Sequence, residues 1–166
     1  MANRKPYLVK SPILMIIQPP LPMSGLRNLD LAGKVEWMMK NAMDMEMSDV
    51  ENDKVTGEMF NFLKDDKIAF RNTAVPSESE KPILHAEVAR MARKLDSDAV
   101  MMSCTGMFFD ESRASKAVLV ASRVKEGDMQ VYSLVPYWST GKGIAWGSPE
   151  SGYGPDVENA AIRPWY

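Results

Sequence analysis

The chain has 166 residues, 45% of them hydrophobic and 25% charged, which is enough apolar material to build a packed core and too much for a disordered chain. Twenty Lys and Arg against 22 Asp and Glu leave a net charge of −2, so no global basic field draws the protein onto nucleic acid. One cysteine, Cys104, and one histidine, His85, exclude an intramolecular disulfide framework and any zinc centre built from several Cys or His. No metal or cofactor is expected.

The N-terminal stretch is basic. Residues 1–29 carry Arg4, Lys5, Lys10 and Arg27 with no acid, whereas residues 30–66 hold ten acids and four bases. The spacing predicts short strands at Tyr7–Val9 and Ile13–Ile17, then an extended connector enforced by Pro19, Pro20 and Pro22. Five apolar residues followed by Gln18-Pro19-Pro20 are too few for a secretory signal, and no run approaches the roughly 18 apolar residues of a membrane span. The lone thiol fits a reducing compartment, so the cytoplasm is the expected location.

Asp30 is placed to cap a helix over about residues 31–45, with Val35, Met38, Ala42 and Met45 on one face. Five of the 14 methionines, Met38, Met39, Met43, Met45 and Met47, fall in or just after this segment. Flexible thioethers suit an adaptable core or a contact surface. Ser48-Asp49-Val50-Glu51 has capping-box spacing and predicts a second helix over about 50–64, with Val55, Met59, Phe62 and Leu63 at helical periodicity. The acidic run around it is no calcium loop, because Lys54 stands where glycine is needed and Phe60 where the bidentate glutamate belongs.

A third helix is expected over about 82–95, where Leu84, Val88, Met91 and Leu95 recur on one face behind Pro82. The period then changes. Ala99–Cys104, Ala117–Val124 and Met129–Val135 read as strands, with a turn at Glu126-Gly127-Asp128 and an edge strand at Ile144–Trp146. Ala117–Ala121 is apolar throughout and therefore reads as a central strand. Residues 148–166 form a Gly/Pro/aromatic tail ending in Trp165-Tyr166.

Chemistry-bearing residues are sparse. Cys104 beside Thr105-Gly106 suggests a nucleophile with His85 as its base, set against the plainer reading of a buried thiol and a packed histidine. Asp110 and Glu111, with Arg113 close by, suggest a polar site at a strand end or a charged surface loop. Tyr132, Trp138 and Trp146, with Tyr137, either line a ligand pocket or pack against a helix. Thr140-Gly141-Lys142-Gly143 lacks the upstream glycine and the following helix of a phosphate loop, and no dinucleotide fingerprint is present.

The sequence therefore predicts one α+β domain spanning residues 1–166, with residues 1–29 and 148–166 as peripheral segments. Its antiparallel or mixed sheet lies over about 98–147, joined by the N-terminal strands and covered by helices on one face. The function expected first is a non-catalytic binding or assembly module. It forms a homo-oligomer or takes a protein partner through the Met-rich helix or the aromatic tail. The alternative is a small enzyme, such as a hydrolase, at Asp110/Glu111 or Cys104/His85. Four cations without a basic fold behind them make nucleic acid a poor partner.

Overall fold

The computed structural model describes residues 7–9, 15–54, 57–73, 79–109, 114–125 and 130–154. Among them, nine strands form one sheet in which every pairing is antiparallel. The strands are β1 (Tyr7–Val9), β2 (Met15–Pro22), β3 (Met59–Lys64), β4 (Lys67–Thr73), β5 (Ala99–Phe109), β6 (Ala114–Val124), β7 (Gln130–Thr140), β8 (Gly143–Trp146) and β9 (Glu150–Gly154). Their order is β1-β2-β4-β3-β5-β6-β7-β8, with β9 also on β7. Two helices, α1 (Leu31–Glu51) and α2 (Lys81–Lys94), complete the expected α+β architecture.

Asp30 caps α1 as anticipated, its side chain accepting from the Gly33 N–H at 2.8 Å. The helix does not stop near residue 45. It runs unbroken through Ser48 to Glu51, and Asn52 closes it by donating its side-chain amide to the Ser48 carbonyl. The expected second helix over 50–64 is therefore absent, and residues 59–64 form β3 instead. Phe60 and Phe62 bury toward one side of the sheet while Met59 and Leu63 bury toward the other, so the run is apolar on both faces. Asp65, with φ 54°, opens the two-residue turn into β4.

The sheet is wider than the sequence implied. The hairpin β3–β4 adds two strands, and the proline connector is itself the end of β2. That strand pairs with β4 through Pro22, with a register shift between Gln18 and Leu21, where Pro19 and Pro20 have no N–H to offer the ladder. Residues 150–154, assigned to the tail, form β9. Cys104 lies within β5, paired to Leu119, and not at a strand end.

The helices do not share a face. Leu84, Val88, Met91 and Ala92 of α2 pack with Phe60, Phe62, Val100, Met102 and Leu119. Val35, Met38 and Ala42 of α1 pack with Leu63, Met101, Val118 and Val120, which are the strand residues of opposite parity. Topology supplies the reason. Helix α1 joins the parallel pair β2 and β3 across β4, and α2 joins the parallel pair β4 and β5 across β3. Both crossovers step the same way along the sheet, but their strands point in opposite directions. A common right-handed sense then sends the two helices to opposite faces.

Candidate binding grooves beside the first helix

A helix with its side chains is about 10–12 Å across, and neighbouring strands lie about 4.8 Å apart, so one helix roofs only two or three strands. Helix α1 lies over β5 and β6. The sheet continues on both sides of it, and a cavity opens along each flank.

The smaller cavity, about 280 Å³, lies on the β2–β4–β3 side. Met23, Met45 and Met59 contribute thioethers to its wall, and Trp37, Asn61 and Glu46 also reach it. Glu46 is only 1% exposed although it is a carboxylate. Its charge is felt on the same face of the sheet by Tyr137, whose hydroxyl is pushed above the ordinary tyrosine pKa by burial first and by Glu46 second. The C-terminal end of α1 is pinned to β8. Trp146 donates its indole N–H to Glu51 Oε1 at 2.9 Å and stacks obliquely on Tyr137, with ring centroids 5.4 Å apart.

The larger groove, about 760 Å³, lies between α1 and β6, β7 and β9. That volume falls within the range of small-molecule sites, roughly 300–1,000 Å³. Leu31, Val35, Met39 and Met43 form its helical wall, recurring every four residues. Glu36, Lys40 and Asp44 line the next stripe of the helix as an alternating charge ladder. The floor is different in kind. Ser122 of β6, Ser133 of β7 and Ser151 of β9 all reach the groove, with Val124 and Val131 between them. Ser133 and Ser151 face each other directly across β7 and β9. Ser122 is 1% exposed, and its Oγ has no hydrogen-bond partner.

The residues singled out from sequence scatter around these grooves. Tyr132 borders the larger one, but its neighbours Val131 and Ser133 face α1 and its ring packs with the α2-side cluster. That ring lies over Gly152, where a Cβ would stand 2.5 Å from Tyr132 Cε1. Trp138 is 48% exposed, and Trp146 serves as the α1 anchor. His85 sits on the α2 side, its Nε2 3.5 Å from Glu58 Oε2. Cys104 is half-buried on that same face, packed against the α2-side cluster. Asp110, Glu111 and Arg113 lie outside the described residues, as does the tail from residue 155. Among the described residues no group of three or more His, Cys, Asp or Glu could hold a metal ion, and no helix is long and apolar enough to cross a membrane.

The serine floor escaped the sequence reading. Its signal was a hydroxyl in register with buried valines, Val118-x-Val120-x-Ser122, on a strand otherwise apolar on that face. Comparisons of the chain with protein-family models, with curated proteins and with solved structures find no match.

Proposed function

We propose that the protein is a non-catalytic binding module that takes an apolar small molecule in the groove between α1 and β6–β7–β9. The observation that carries this reading is the 760 Å³ groove itself, with an aliphatic and thioether wall facing a floor of valine and serine. The methionine run in α1 supports it, since Met39 and Met43 turn toward this groove while Met23 and Met45 border the smaller one. A homo-oligomer in the cytoplasm is part of the same proposal. Exposed Leu21, Ile83, Met107 and Trp138 support self-association, and the single cysteine of the sequence supports a reducing setting.

The test uses a neutral apolar fluorophore, N-phenyl-1-naphthylamine, titrated into the full chain. Saturable binding at one site per chain is expected. Ala32→Trp, at an exposed position on the groove wall, should abolish it, and Met45→Lys on the other flank should leave it intact. Binding that ignores Ala32→Trp would overturn the reading.

A second reading, a hydrolase at Cys104 and His85, is favoured by one observation. The imidazole stands beside the Glu58 carboxylate, and the β3–β5 register, continued one residue beyond Met59↔Ser103, brings position 58 level with Cys104. Hydrolysis of an activated ester that survives Cys104→Ser would remove it.

A further inference from the structure

We propose that the larger groove selects ligands by an uncharged hydrogen-bonding head group, so that its natural class is the neutral amphiphile: an alkyl body carrying an alcohol, ester or amide. The inference rests on the groove being a ligand site, as proposed above, and adds which ligands it takes.

The argument starts from Ser122. Its face of β6 is otherwise built from Val118 and Val120, so an apolar residue would complete the layer at no polar cost. A hydroxyl stands there instead, buried and without a hydrogen-bond partner, on a residue that lines the larger groove. A buried hydroxyl left unpaired is a standing penalty, and a ligand head group that bonds to it removes that penalty. Ser133 lies diagonally across from it on β7, because Ser122 pairs with Val131, and Ser151 continues the row on β9. Each hydroxyl both donates and accepts, so the floor suits an alcohol or a carbonyl equally.

Charge decides against the ionic alternatives. Lys40 is the cation that lines this groove among the described residues, and it sits one turn from Glu36 and one turn from Asp44. Those carboxylates offset it and leave the rim net negative, which disfavours a fatty carboxylate or a phosphate head. The negative rim attracts an ammonium head but holds it among the exposed Glu36 and Asp44 carboxylates, away from the uncharged serine and valine floor.

Three ten-carbon amphiphiles, 1-decanol, decanoate and decyltrimethylammonium, displacing N-phenyl-1-naphthylamine from the full chain, test the proposal. Decanol should displace the probe at a concentration at least tenfold below either ion. Ser122→Ala, checked to be folded by its unfolding midpoint, should weaken decanol five- to tenfold, as expected for one hydrogen bond, with displacement referred to the probe affinity measured on each protein. Equal displacement by all three heads, or decanol binding indifferent to Ser122→Ala, would overturn the inference while probe binding blocked by Ala32→Trp still upheld the groove. Failure of the probe to bind at all would bring down the groove reading and this inference together.

Discussion

The two faces of the sheet carry one helix each but are built differently. On the α2 face, Phe60, Phe62, Leu84 and Leu119 are fully buried and interlock with Val88 and Ala92. Bulky, branched and aromatic groups fill space with few rotamers, and among the described residues the layer they form is closed under the helix. The cavity described on that face, about 290 Å³, sits at the rim among Lys64, Asp65 and Lys67. On the α1 face the helix contributes Val35, Met38 and Ala42, small or flexible residues, and the sheet contributes Ala99, Met101 and the serines. Beside the larger groove the sheet offers short serine and valine side chains, whereas Phe60 and Phe62 fill the space under α2. The contrast teaches that on this scaffold a single helix covers part of a broad sheet, and side-chain volume decides whether the remainder closes or stays open.

Mutations should expose that contrast directly. Leu84→Ala on the closed face should cost about 2–5 kcal/mol in denaturant unfolding, because a buried leucine leaves a cavity that packed neighbours cannot collapse into. Met39→Ala on the groove wall should cost under about 1 kcal/mol, because that side chain is half-buried beside a space that already exists. Comparable losses at the two positions would erase the distinction between the faces.

Ser122→Ala should move stability the other way. Removing a buried hydroxyl with no partner is expected to raise the unfolding free energy by about 1 kcal/mol while weakening a polar-headed ligand, a trade between stability and binding. A destabilised Ser122→Ala protein would mean that the hydroxyl serves the fold.

The smallest effect concerns Tyr137. Its folded pKa lies above the unfolded value near 10, with burial as the larger cause and the charge of Glu46 as the smaller. The neutral phenol is thus the form the fold prefers. The stability tied to it is fully present below pH about 10 and is lost as pH rises through the folded pKa. Ultraviolet titration should show a late-ionising tyrosine that Tyr137→Phe removes. Glu46→Gln should bring that titration down only partway, since burial remains. A full return to the ordinary value would make Glu46 the main cause.

Much of the fold was legible in the sequence and the groove was not, for reasons that differ by residue. Asp30 announces α1, the Leu84–Val88–Met91 stripe announces α2, and Ala117–Ala121 announces a strand inside the sheet; each signal is local. Residues 59–63 misled because Met59, Phe62 and Leu63 satisfy helical spacing as well as a strand buried on both faces. Only pairing with β4 and β5, tens of residues away in the chain for β5, selects the strand. With β3 and β4 hidden, the two crossovers were hidden too, and so was the division of the helices between faces. Met39 and Met43 could be seen as part of an adaptable surface. Ser122, Ser133 and Ser151 could not be seen as one floor, because they become neighbours only when β6, β7 and β9 assemble.

The 14 methionines offer the most direct test of where a ligand goes, since Met39 and Met43 border the larger groove, Met23, Met45 and Met59 the smaller cavity, and Met91 the closed face. With methyl-labelled methionine in the full chain, nuclear magnetic resonance spectra recorded during addition of 1-decanol should show saturable shifts of the Met39 and Met43 methyls. Met91 should stay fixed, and Met23 and Met45 should move little. Shifts confined to Met23, Met45 and Met59, or none at saturating decanol, would contradict the account.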